Sequence, residues 1–198
     1  MPETDYIKAA FGSCRDFYSR LGKELIYTKN LPSQFWDRLP HFGVLTDTRE
    51  QKPYNYGALN VPCKLEIGDY TASDNFYSST FVDRKSESDF KGTFTAGFDR
   101  FKKELERTRR CNSFLFIVAE TTPGLIDVEN EIARYGRVNL NLLWHNVREI
   151  IADYSDCCQF VFAGSRTLGK DLTYRILYWG KELWNCDLDY FIEKHGIE

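Results

Sequence analysis

Nothing in this sequence is long and apolar enough to cross a bilayer. The most hydrophobic run, Phe114 to Ala119, falls far short of the roughly 20 residues that a spanning helix needs. The amino terminus, Met1-Pro2-Glu3-Thr4-Asp5, opens with acids and has no apolar segment behind it, so no signal peptide is expected. Cys-x-x-Cys pairs are missing too: Cys14, Cys63, Cys111, Cys157, Cys158 and Cys186 are scattered, and only Cys157 and Cys158 are adjacent. A reduced, soluble, intracellular protein of the cytoplasm or nucleus is the expectation. A zinc site joining Cys157 and Cys158 to a distant His145 or His195 is one use of these thiols, and burial as free thiols is the simpler one. A complete phosphate-binding Gly-x-x-x-x-Gly-Lys-Ser/Thr run is lacking. The stretch Gly164-Ser165-Arg166-Thr167-Leu168-Gly169-Lys170-Asp171 comes nearest, but Asp171 stands where a hydroxyl is required, so it reads as a strand-to-helix turn. Repeats, linkers and low-complexity segments are absent, which removes solenoids and tethered arrays from consideration.

What is present is material for one folded unit. The chain has 198 residues, 42% hydrophobic and 16% aromatic, enough for a substantial core. Its net charge of -3 excludes a protein that coats nucleic acid through bulk charge, while leaving room for a local basic surface.

Apolar residues from Asp5 to Tyr27 recur at roughly helical spacing, which predicts one or two amphipathic helices in a helical extension over residues 1–40. Leu31 to Pro40 predicts a short helical turn capped by Ser33, with Phe35 and Trp36 as packing anchors more than base-stacking platforms. Three strands are then expected, Phe42–Thr48, Lys64–Ile67 and Phe81–Lys85, forming an antiparallel meander. Each brings an acid: Asp47, Asp69 after the turn at Gly68, and Asp83. Period-two geometry sends Asp83 and Lys85 out of one face of their strand, and puts Asp47 and Arg49 on one side of theirs. An isolated Asp-Arg-Lys is ordinarily a solvated surface trio. Three acids on consecutive strands, one of them inside Asp-x-Lys, form a candidate carboxylate cluster for one or two Mg2+ ions, with the lysine beside the attacking water.

Farther along, Phe94, Phe98, Phe101 and Leu105 repeat at helical spacing, and the other face of that helix carries Arg100, Lys102, Lys103, Arg107, Arg109 and Arg110 against Glu104 and Glu106. That face reads equally as solvated pairs, such as Glu106 with Arg110, and as a phosphate-contacting surface with Arg100, Lys103, Arg107 and Arg110. Ser113–Glu120 predicts a buried central strand, continuous in apolar residues. A helix over Asn139–Tyr154 with Leu142, Leu143, Val147, Ile150 and Ile151 inward, a strand over Gln159–Ala163, and a helix ending near Leu183 complete a three-layer α/β fold whose two buried strands pair in parallel across a helical crossover.

The joint pattern Asp47-Thr48-Arg49-Glu50, Gly68-Asp69-Tyr70 and Val82-Asp83-Arg84-Lys85-Ser86, closed by Asp89, resembles the XPF/Hef-type nuclease domain, a branch of the PD-(D/E)xK restriction-endonuclease-like fold. The resemblance runs from Phe42 to Leu183. It implies a central mixed sheet flanked by helices, with the nuclease domain over residues 41–198. It implies a metal site, Mg2+ or Mn2+, at Asp47, Asp69 and Asp83, with Lys85 serving the water. Arg49 and Arg84 would steady the cluster or the phosphate, and Asp89 would support the arginine and lysine. DNA is the implied substrate, cut to 5′-phosphate and 3′-hydroxyl ends, and a homodimer or heterodimer through the nuclease domain is the implied assembly. Two departures stand out: Asp83 occupies a position usually held by glutamate, and the chain has no room for the family's tandem helix-hairpin-helix modules. A non-catalytic DNA-binding or scaffold subunit is the alternative.

Overall fold

The computed structural model describes residues 29–133 and 137–195. The helices expected between Asp5 and Tyr27 lie outside the described residues. Six strands form one mixed sheet in the order β2-β1-β3-β4-β5-β6. They are β1 (Val44–Asp47), β2 (Asn60–Cys63), β3 (Tyr70–Ala72), β4 (Thr80–Lys85), β5 (Phe114–Ala119) and β6 (Cys158–Phe162). The helices are α1 (Glu87–Thr93), α2 (Phe98–Arg110), α3 (Pro123–Ile132), α4 (Leu140–Asp153), α5 (Arg166–Trp179) and α6 (Leu188–His195). Among the described residues no helix is long and apolar enough to cross a membrane.

The central strand explains the three layers. All six residues of β5 are buried, and their side chains alternate between two cores. Phe114, Phe116 and Val118 join Leu172, Ile176 and Leu177 of α5 and Leu188 of α6. Leu115, Ile117 and Ala119 join Phe101 and Leu105 of α2, Ile126 of α3 and Leu143, Val147 and Ile150 of α4. The expected crossover is present: β5 and β6 pair in parallel, Ile117 opposite Phe160. Leu142 and Ile151, expected inward, are exposed instead; they lie to the sides of the stripe that Leu143, Val147 and Ile150 turn toward the sheet.

The meander is antiparallel, but its middle strand differs from the expected one. Lys64–Ile67 is a loop, and the strand between β1 and β4 is Tyr70–Ala72, antiparallel to both. The cause lies in two side chains. Asp47 Oδ2 accepts the Leu65 N–H at 2.7 Å and Arg49 donates to the Leu65 carbonyl at 2.5 Å, so this backbone needs no strand partner. The preceding residues, Asn60–Cys63, instead pair in parallel with β1 at the sheet edge, where Pro62 is tolerated. Leu31–Pro40 forms turns rather than a helical turn held by Ser33, and Phe35 is fully buried, edge-on to Trp36 at 4.7 Å.

Candidate active site

Because β3 alone runs against the other strands, its start lies at the edge where β1, β4 and β5 end. Asp69, just before β3, therefore meets Asp83 and Lys85 near the end of β4. The turn that delivers Asp69 requires glycine: Gly68 has φ +59°, and a Cβ there would sit 2.8 Å from the Val82 carbonyl oxygen. Asp69 is locked by its own backbone, donating to Val82 O at 2.8 Å and accepting from Asp47 N–H at 2.7 Å, and its Oδ2 accepts the Arg84 N–H at 2.9 Å.

Asp83 and Lys85 do share a face. Lys85 Nζ donates to Asp83 Oδ1 at 2.8 Å and lies 2.7 Å from Oδ2. Burial, and then the neighbouring Asp83, push the Asp69 carboxyl far above the usual carboxylate range, to about 9. Burial opposes the charge on Lys85, but Asp83, Asp69 and Glu104 outweigh it and raise the ammonium above its ordinary value. Lys85 therefore stays protonated at neutral pH and acts as a donor. Glu104, from α2, faces the same cluster. Its Oε1 accepts the Gly68 N–H at 2.9 Å, and burial followed by Asp83 raises its carboxyl too.

Asp47 does something else. Its Oδ1 accepts from Arg49 N–H at 2.7 Å and Arg49 Nε at 2.8 Å, while Oδ2 accepts from Arg49 Nη2 at 2.9 Å and Leu65 N–H. The Arg49 guanidinium dominates over the cost of burial, and with the two backbone donors it holds this carboxyl at about 2. Asp47 thus lines the cleft as a strut, with both oxygens engaged. Asp47, Asp69 and Asp83 line one cleft, and among the described residues no three His, Cys, Asp or Glu side chains gather as a ready-made metal cage.

Arg84 points to the opposite face of β4, as period two requires. Its buried guanidinium meets Glu50 at 3.2 Å and Glu120 at 3.0 Å, and Asp89 approaches to 3.9 Å. Glu120 in turn accepts Arg166 Nη1 at 2.8 Å, and Arg166 donates to the carbonyls of Lys52 and Pro53. Arg84 steadies the scaffold beneath the carboxylates rather than standing among them. Ser86 caps α1, its Oγ accepting the Asp89 N–H at 3.3 Å and donating to Asp89 Oδ2 at 2.5 Å, so Asp89 is held in the first turn of that helix.

These groups line a cleft of about 1470 Å³, walled on one side by Arg100, Lys103 and Arg107. All three are exposed, whereas Lys102 is paired with Glu149 and Arg109 with Asp156. Arg110, expected with the cleft-facing set, is not among the lining residues and bonds the Glu106 carbonyl. Glu106 accepts from Tyr154 instead of pairing with Arg110. Three contributors lacked a role in the sequence reading: Glu104, Glu120 and Arg166. Glu104 had a readable signal, an acid at i+4 from Arg100 and i−3 from Arg107, inside the basic stripe itself.

The donor set fits a hard cation. Asp69 and Asp83 face one ammonium, and Mg2+ or Mn2+ takes carboxylate oxygens, one or two of which suffice when water and a substrate phosphate complete the shell. Among the described residues no cysteine lines the cleft: Cys157, Cys158 and Cys186 are buried free thiols, and burial pushes Cys157 up to about 11. The Gly164–Asp171 stretch is the expected strand-to-helix turn: α5 begins at Arg166, and Ser165 Oγ caps it by accepting the Leu168 N–H at 3.2 Å.

No family model matches the chain, and no curated protein matches it. Among solved structures, XPF from Aeropyrum pernix aligns with a TM-score of 0.50 and 22% identity, covering 71% of this chain and 67% of that one. XPF from the same organism in complex with DNA gives 0.48 and 22%, covering 70% and 64%. The mixed sheet, its flanking helices and the carboxylate edge thus belong to a chain that has the fold of XPF.

Proposed function

We propose that this chain is a metal-dependent DNA endonuclease. The observation that carries the reading is the union of Asp69, Asp83 and Lys85 at the edge of an XPF-like sheet, in a cleft walled by Arg100, Lys103 and Arg107. Asp69 and Asp83 would hold Mg2+ or Mn2+, which when bound supplies Lewis acidity to the phosphate and lowers the pKa of water. Lys85, kept charged, donates a hydrogen bond to the attacking water or a phosphoryl oxygen. Arg100, Lys103 and Arg107 hold the flanking phosphates. In the reaction the water oxygen bonds to phosphorus and the P–O3′ bond breaks; the 3′ oxygen takes up a proton, leaving 5′-phosphate and 3′-hydroxyl ends. The division into an extension, residues 1–40, and a nuclease domain, residues 41–198, and dimerisation through that domain are parts of this proposal.

The test is incubation with labelled duplexes, flaps, forks and single strands in Mg2+ and Mn2+. Cleavage by the wild type, lost in Asp69→Asn and in Lys85→Ala, is the expected result; undiminished cleavage by Asp69→Asn sinks the reading. A second reading, a non-catalytic DNA-binding subunit, draws on the engagement of both Asp47 oxygens. Calorimetry showing DNA binding but no uptake of Mg2+ or Mn2+ would favour it.

A further inference from the structure

Asp83 is the shorter of the two acids that could stand in its position, so its carboxylate reaches less far into the cleft than a glutamate would, and Asp47 is fully engaged elsewhere. The Asp47 charge is neutralised by the Arg49 guanidinium, leaving a gap beside Asp69 and Asp83, the strand acids that remain. The side chain that faces the gap comes from α2. Glu104 enters the cleft on the same helical face as Arg100 and Arg107, yet among the described residues it forms no ion pair with them or with any other cation. One oxygen, Oε1, accepts the N–H of Gly68, the residue whose positive φ sets the direction of Asp69. That hydrogen bond uses Oε1 alone, and Oε2 belongs to a side chain that lines the cleft.

We propose that Glu104 is a positioning residue with two functions, and the inference rests on the metal-dependent reading above. Through Oε1 it holds the Gly68-Asp69 turn in register with Asp83. Through Oε2 it supplies the third acidic oxygen of the site, reaching a bound divalent cation by way of a water molecule. Outer-sphere action agrees with the absence of three converging ligands among the described residues, and it suits a cation that keeps several of its waters. The engagement of Asp47 by Arg49 and the acid inside the basic stripe are then two sides of one arrangement, in which the helix supplies a carboxylate that the strand has committed elsewhere.

Gln and Ala substitutions separate the two functions. Glu104→Gln keeps an oxygen for the Gly68 N–H and removes the charge; Glu104→Ala removes both. The readouts are Mn2+ affinity by titration calorimetry on the full chain without DNA, thermal unfolding without metal, and cleavage in Mn2+. Glu104→Gln is expected to unfold at the wild-type temperature and to bind Mn2+ about tenfold more weakly, the scale of an outer-shell contact. Glu104→Ala is expected to show the same loss and a lower unfolding temperature. Wild-type Mn2+ affinity in Glu104→Gln, with only Glu104→Ala impaired, would overturn the charge function and leave a structural pin. Failure of the wild type itself to bind Mn2+ would overturn the metal-dependent reading, and this inference with it. Binding by the wild type that is lost in Asp69→Asn keeps the two failures apart.

Discussion

Asp47 and Asp69 lie at one sheet edge, yet their protons respond to pH in opposite ways. Asp47 titrates at about 2 in the folded protein against an ordinary 3.8, so its stabilising contribution is complete above that ordinary value and is lost as pH falls toward 2. The contribution is about 2 kcal/mol, trimmed for the exposure of its partner Arg49. Urea unfolding of wild type and Asp47→Asn should differ by that amount or more at pH 7, and the gap should narrow below pH 4. Asp69 has the reverse sign. Its carboxyl is raised to about 9, so between about pH 4 and pH 9 the folded chain holds a proton that the unfolded chain has released, and stability declines as pH rises. Without metal, Asp69→Asn is therefore expected to unfold at a higher temperature than wild type at pH 8, with little difference at pH 4, while losing cleavage. An Asp69→Asn protein less stable than wild type at pH 8 would contradict the burial argument. The trade of stability for a strained carboxylate is characteristic of functional sites.

Among the elements, the site depends most on how the Gly68 turn and β4 are seated. Gly68→Ala would force a left-handed backbone on a side chain with no room against Val82 O, costing about 2 kcal/mol and displacing Asp69. Loss of cleavage with a modest fall in unfolding temperature is the expected pair of observations. Along α2, Lys103→Gln or Arg107→Gln should weaken DNA binding evenly across sequences and lower the salt slope by about 1 each, while Lys102→Gln, already paired with Glu149, should leave that slope unchanged. Much of this was legible beforehand. Alternation along β4 assigns Asp83 and Lys85 to one face and Arg84 to the other, and the unbroken apolar run of β5 marks a strand buried on both sides. What escaped reading was settled by distant partners. Lys64–Ile67 has the composition of a strand but is held as a loop by Asp47 and Arg49, while Tyr70–Ala72 is only three residues and gains strand character from neighbours on both edges. For Asp47 the local sign was Arg49 two residues on; the Leu65 donor that completes the strut, and the burial and Asp83 charge that raise Asp69, come only with folding.

Across the whole molecule, two charge systems lie on opposite faces of the sheet and meet at the cleft. Asp69, Asp83, Lys85 and Glu104 lie toward α2, and Arg84, Glu50, Glu120 and Arg166 toward α5. Replacing the buried Arg84 with Met leaves Glu50 without a cation and Glu120 with Arg166 alone, and is expected to cost about 3–5 kcal/mol, measured by denaturant unfolding, whereas Arg166→Met, at a half-exposed site, should cost about 1 kcal/mol or less. Strand β4 is the partition between them, and it is fixed on both edges, antiparallel to β3 at Phe81 and Val82 and parallel to β5 from Thr80 to Lys85. A slip of β4 by a single residue would exchange the two inventories, turning Arg84 into the carboxylate cluster and burying Asp83 and Lys85 among Glu50 and Glu120. Alignment errors at this strand would thus be penalised twice, by mismatched cores and by mismatched charges, so the same pairing that builds the fold also proofreads the site.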